Sequence, residues 1–192
     1  RELIEALRAT LPEKPADRRK RLAGEWGFSE LEFRDVVNAD LLDQIEETVT
    51  AGAKPQAARK WWMGEVSRIA NDRGVDATTL VTAAQIADLQ SVIDEGIVND
   101  KLAREVLAGL IAGEGDARAI IESRGLAVVS DDSALIAAID EALLAQPDVL
   151  DKIREGKVQA AGAVIGAVMK AMGGKADAAR VRELVVERAA AV

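Results

Sequence analysis

Glycine and lysine, rather than histidine or cysteine, are the residues of this chain whose spacing invites a chemical reading. From Gly156 to Ala176 the sequence runs Gly-Lys-Val-Gln-Ala-Ala-Gly-Ala-Val-Ile-Gly-Ala-Val-Met-Lys-Ala-Met-Gly-Gly-Lys-Ala. At helical spacing Ala161, Ile165, Val168 and Met172 make a core stripe. Gly162 and Gly166 lie on a neighbouring face, which Lys170 continues at i+8. Glycine inside a helix costs about 1 kcal/mol relative to alanine, so two on one face point to close approach of another body. The default reading is a second helix packed against the glycines. The other reading is an RNA backbone lying over the glycine face, with lysines on its phosphates.

Gly173-Gly174-Lys175 looks like the end of a phosphate-binding loop, but three features oppose that. The upstream glycine of the loop is missing, Ala176 stands where Ser or Thr is needed, and a helix rather than a strand precedes it. The spacing predicts a glycine cap ending the helix. A phosphate contact from Lys175, or from the next helix start near Asp177, stays open. Histidine, cysteine and tyrosine are absent, which removes the usual general base and most nucleophile–base pairs. Neither a disulfide framework nor a zinc-thiolate site is possible. Trp61 and Trp62 are neighbours in a helical pattern; Trp62 falls on the core stripe and Trp61 at its edge, a packing role. Arg18-Arg19-Lys20-Arg21 reads as a solvated helix face, and Glu46-Glu47 and Asp131-Asp132 as surface or capping charges.

The elements that must position these residues are all helical. Ala103, Val106, Leu107 and Leu110 follow i, i+3, i+4, i+7, and the same period appears at Ala58, Trp62 and Ile69, at Ile86, Leu89 and Ile93, and at Ile136, Ile139 and Leu143. Helices are expected near 1–9, 16–24, 30–37, 40–51, 55–72, 83–95, 100–112, 116–124, 132–146, 148–155, 157–172 and 177–190. Thr82 with Gln85 and Ser29 with Glu32 read as capping boxes. Pro55 and Pro147 fit first helical turns. Gly52, Gly74, Gly96, Gly125 and Gly156 fit C-terminal caps. Leu126–Val129 is the one β-like run. The chain is expected to be all-α, with a boundary in the Gly113-Glu114-Gly115-Asp116 turn.

Net charge is −8, which taken globally opposes nucleic acid. Residues 151–192 carry eight Lys or Arg against five Asp or Glu, a local +3 that leaves −11 on residues 1–150. A basic tail on an acidic body favours a polyanion near the tail. The run without charge between Lys157 and Lys170 is 12 residues, too short to span a membrane. The chain opens inside a helical pattern, so it is read as a piece of a longer protein, and the lack of signal and lipidation motifs fits a cytoplasmic one.

Several segments carry a family resemblance. The glycine-rich helix from Gly162 to Lys170, followed by Gly174-Lys175-Ala176, resembles the tail shared by the B subunit of bacterial aspartyl/glutamyl-tRNA amidotransferases and the free-standing YqeY-like proteins. Leu7-Arg8-Ala9-Thr10-Leu11-Pro12-Glu13, the Trp61…Met63-Gly64-Glu65 helix and Lys101-Leu102-Ala103-Arg104-Glu105-Val106 resemble the B subunit alone. The chain departs from the pattern at Ala163 and Ala167, where the family usually has Phe and Gln, at Lys60, and at Ala178.

The resemblance implies a connector over 1–39 from an upstream cradle domain, a helical domain over 40–115 and a small YqeY-like tail domain over 116–192. It implies tRNA recognition by phosphate contact and shape, with Lys157, Gly162, Gly166, Lys170, Gly173, Gly174, Lys175 and Arg180 as candidate contacts. It also implies the A and C subunits of the amidotransferase as partners, joined through the cradle. ATP, magnesium and glutamine would serve the parent complex, with no cofactor on this chain, which is expected not to be an enzyme by itself. The alternative is a structural helical interaction module, or a free-standing YqeY-like protein, that does not bind tRNA.

Overall fold

Pro15 opens the first helix seen in the computed structural model, which describes residues 13–191. The helix expected over 1–9, and residues 7–12 of the first resemblance segment, lie outside the described residues. In chain order the helices are α1 (Pro15–Trp26), α2 (Glu30–Asn38), α3 (Leu42–Thr50), α4 (Pro55–Arg59), a π-helical segment Lys60–Val66, α5 (Ser67–Arg73), α6 (Ala83–Asp94), α7 (Asp100–Ile111), α8 (Ala117–Arg124), α9 (Asp132–Ala145), α10 (Pro147–Arg154), α11 (Ala161–Ala171) and α12 (Ala178–Ala191). Short 3₁₀ turns occupy Ala77–Thr79 and Val158–Ala160. The protein is all-α, as the periodicity predicts. Among the described residues the extended run near 126–129 makes only an isolated bridge, Val129 to Ala176.

The chain divides into two compact units, residues 1–87 and 88–192. In the first, Ser29 and Glu32 form the expected capping box at the start of α2. Pro15 and Pro55 open their helices where a missing amide costs no bond. The sequence pattern puts Arg18 on a solvated basic face. Its guanidinium instead ties α1 to α3, with Nε donating to Glu46 at 2.7 Å and a terminal nitrogen 2.6 Å from Asp43. Arg21 also reaches Glu46, at 3.0 Å.

The tryptophan helix is not a continuous α-helix. Its buried positions Ala58, Trp62, Val66 and Ala70 recur every four residues. On an α-helix such a row drifts by about 40° per step. The wider i→i+5 turn of the π segment counters that drift and keeps the row facing inward. Two expectations shift as a result. Ile69, placed on the stripe by α-helical spacing, is only half-buried, and Trp61, placed at its edge, is 2% exposed.

In the second unit, α7 packs closely on α8, where a side chain at Gly109 would lie 2.9 Å from Ile120. Beyond α8, helices α9 to α12 enclose a core that includes Leu135, Ile139, Val164, Val168, Val181 and Val185. Two ion pairs join α9 to α12. Arg180 donates to Asp132 at 2.9 Å and Arg188 to Asp140 at 2.9 Å. Each helix advances eight residues between the pairs, so α9 and α12 run parallel. No helix of the described residues is long and apolar enough to cross a membrane.

Candidate nucleic-acid interface

Helix α11 buries Ala161, Val164 and Val168, while Ile165 and Met172 are only partly covered. The core stripe therefore runs one position away from the expected one in the middle of the helix. Gly162 and Gly166 fall on the outside, and Lys170 beside them is exposed. A side chain built at either glycine would meet nothing within 4 Å. The default reading, a second helix packed on the glycines, is thus not what the described residues show. Both have ordinary helical backbone, so neither is required by a turn.

The helix ends on Gly173, with φ 63, in a Schellman arrangement. Gly174 N–H donates to Met169 O at 2.7 Å and Gly173 N–H to Lys170 O at 3.1 Å. This is the glycine cap the spacing predicts. With those amides engaged, a helix before them and Ala176 after, the turn does not fit a nucleotide-binding loop. The spacing suggests open backbone at Gly174, but this residue is buried, with φ 82. Its carbonyl accepts from Asn99 Nδ2 at 3.0 Å, and a β-carbon there would lie 2.6 Å from Lys101 Nζ. Lys175 is half-buried, its carbonyl accepting from Val129 N–H at 2.6 Å.

The candidate cations differ in their freedom. Lys170 and Lys175 bond no carboxylate among the described residues. Lys157 lies 2.8 Å from Glu155 on an exposed surface. Arg180 is committed to Asp132 and to Glu183, at 2.6 and 2.8 Å. Its hydrogen bond and charge hold the Asp132 carboxyl below the ordinary aspartate value, and Arg188 does the same for Asp140. The structure adds Lys101, whose exposed ammonium sits 3.4 Å from Gly173 O. A cation at that end of α11 offsets the partial negative charge of the last carbonyls. No local sequence signal could have joined Lys101 to a turn seventy residues away.

Among the described residues, no group of three or more His, Cys, Asp or Glu is placed to hold a metal ion. Fold and surface together define a helical module with a lysine-bearing corner built on a glycine cap. Residues 43–188 match the GatB domain family. The chain is 68% identical over 189 residues to the B subunit of the aspartyl/glutamyl-tRNA(Asn/Gln) amidotransferase of Leifsonia xyli subsp. xyli, covering 98% of this chain and 38% of that protein. Its identity to the same subunit from Clavibacter sepedonicus is 67%, and to that from Nocardioides sp. 60%, over 99% and 97% of this chain and 38% of each relative. The chain belongs to the GatB domain family and spans 38% of the length of these relatives.

Proposed function

We propose that this chain is a tRNA-engaging part of an amidotransferase that converts misacylated Glu-tRNA(Gln) or Asp-tRNA(Asn) to the correctly paired Gln-tRNA(Gln) or Asn-tRNA(Asn). The observation that carries this reading is the exposed Gly162–Gly166–Lys170 row of α11. Two helix-weakening glycines on an open face meet no packing partner among the described residues, and they let a phosphate backbone approach the helix. Lys170, Lys175 and Lys101 surround the end of that row and supply charge. Lys157 contributes peripherally, while Arg180 holds α12 in place rather than reaching outward. Recognition is by phosphate and shape, because few side chains here read bases.

The catalytic steps belong to other parts of the assembly. Activation by ATP and magnesium, and ammonia supply from glutamine, fall to an upstream cradle and to the A and C subunits, in the cytoplasm. This chain performs no turnover of its own on this reading, which is supported by its lack of histidine, cysteine and tyrosine and so of the usual general base and most nucleophile–base pairs.

The test is tRNA affinity at two or more salt concentrations. Lys170→Ala and Lys175→Ala should each weaken binding about equally for all tRNAs, and each should reduce the salt slope by about 1. Unchanged affinity and slope in both would remove this corner from the RNA surface. A second reading, a protein-docking module, is favoured by one feature. Leu144 is 83% exposed beside a cleft of about 380 Å³ lined by Leu143, Pro147 and Leu150. Under that reading Leu144→Ser weakens assembly with partner subunits and spares tRNA.

A further inference from the structure

Arginines in this protein are mostly engaged by carboxylates: Arg18 by Glu46, Arg59 by Glu32, Arg124 by Glu114. Arg19 on α1 and Arg34 on α2 bond none among the described residues, both are exposed, and both line the same cleft between those helices. The cleft has a volume of about 350 Å³. Its lining is otherwise largely apolar, from Ala23, Phe28, Phe33 and Val37, with Ser29 and one acid, Glu30. Phe28 carries the Arg59 guanidinium 5.9 Å from its ring centroid, and the half-buried Phe33 rests with its ring centroid 6.1 Å from that of Trp26, tilted by 52°.

The cleft therefore offers two guanidiniums that no carboxylate of the described residues engages, and an anion seated in it could accept charge-assisted hydrogen bonds from both. We infer that the α1–α2 cleft binds one unpaired nucleotide of the RNA, its base against Phe33 and its phosphate between Arg19 and Arg34. The volume lies at the small end of ligand pockets, which suits a single nucleotide and excludes a duplex. Aromatic and arginine groups together are how single-stranded RNA is held without strict sequence preference. An acidic peptide would also meet two arginines, but the planar Phe33 surface favours a base. This assignment rests on the tRNA reading above, and it names a second contact surface in a different unit of the chain.

The experiment measures binding of the whole chain to tRNA, to a single-stranded tetra-adenylate and to poly-glutamate, each over a range of salt. Arg19→Ala and Arg34→Ala should each lower the RNA salt slope by about 0.7, the single-strand value per phosphate contact. Arg19→Lys and Arg34→Lys should restore the slope. Phe33→Leu should weaken tetra-adenylate roughly fivefold or more with the slope unchanged. Wild-type slopes in both alanine variants, with Lys170→Ala lowering its own, would overturn the cleft and leave the tail reading standing. No response in either set would overturn both. Arginine-dependent binding of poly-glutamate, with RNA indifferent to the same variants, would assign the cleft to an acidic protein and sink the inference. If Phe33→Leu fails to fold, the exposed arginine variants decide alone.

Discussion

Asn99 bonds in two directions: its Oδ1 accepts from Leu102 N–H at 3.0 Å, and its Nδ2 donates to Gly174 O at 3.0 Å. One side chain thus caps the start of α7 and holds the turn that ends α11. The neighbouring Val128 and Val129 amides bond Ile97 O at 2.8 Å and Lys175 O at 2.6 Å, so three segments meet at this point. The position of Lys101 beside the candidate phosphate corner follows from that junction, because Lys101 is two residues beyond the cap.

Substitution at Asn99 separates the two bonds. Asn99→Asp keeps the cap and loses the donor, leaving the partly buried Gly174 carbonyl unpaired at a cost of about 1–3 kcal/mol. Asn99→Ala loses both and should be less stable still, by about 0.5–2 kcal/mol for the cap. Urea unfolding of the three proteins checks the order. Equal stability of Asn99→Asp and the native chain would deny the Gly174 bond any weight.

Most helices are legible in the sequence because their signals are local. Ser29 and Glu32 cap α2 within four residues, and proline or glycine marks many of the ends. Asp40 shows where that logic stops: it takes φ 56, the position glycine usually fills, so the turn after α2 carries no glycine signal. The π segment is illegible for a different reason. Its row of every-fourth positions looks like an imperfect α-helical stripe until the backbone is seen. At the candidate site, the glycine face and the cap are readable from spacing. The ion pairing of Arg180 and the arrival of Lys101 depend on contacts 48 and more than 70 residues apart, which no local pattern encodes.

Thr48 and Trp62 make a buried polar pair, both 0% exposed. Trp62 Nε1 donates to Thr48 Oγ1 at 2.8 Å, and that hydroxyl donates to Gln44 O at 2.6 Å. Thr48→Val keeps the shape and removes the acceptor, stranding the indole N–H. The expected loss is about 1–3 kcal/mol. Thr48→Ser should lose less, since it keeps the hydroxyl. Denaturant titrations followed by tryptophan fluorescence would settle the comparison, and a Thr48→Val protein as stable as Thr48→Ser would argue against the bond.

Acid should loosen the α9–α12 contact. Asp132 and Asp140 have folded-state pKa values lowered from 3.8, chiefly by the hydrogen bonds from Arg180 and Arg188. In that range the unfolded chain binds more protons, so stability rises with pH. The contribution is fully present above the unfolded value and is lost as pH falls through the lower folded values. Because both pairs are solvent-exposed, the effect is small and salt-sensitive. Asp132→Asn should flatten the stability profile below about pH 4. A profile identical to that of the native chain would show that the Arg180 pair contributes no linkage.

Gly166 gives the sharpest contrast between stability and RNA binding. Its backbone is helical and a β-carbon meets nothing within 4 Å, so Gly166→Ala should stabilise the chain by up to about 1 kcal/mol through helix propensity. Gly174→Ala should do the opposite, because φ is 82 and Lys101 stands 2.6 Å from the new atom. If α11 packed another helix within the chain at Gly166, enlargement to leucine would lower the melting temperature, overpacking costing about 1–3 kcal/mol. An open face predicts instead that Gly166→Leu melts no lower than the native chain and still loses tRNA affinity, since the larger side chain holds a phosphate backbone away from α11. Melting curves and tRNA titrations on the same samples decide between the two. Lower melting with unchanged affinity would return Gly166 to a packing role and remove the observation on which the tRNA reading rests.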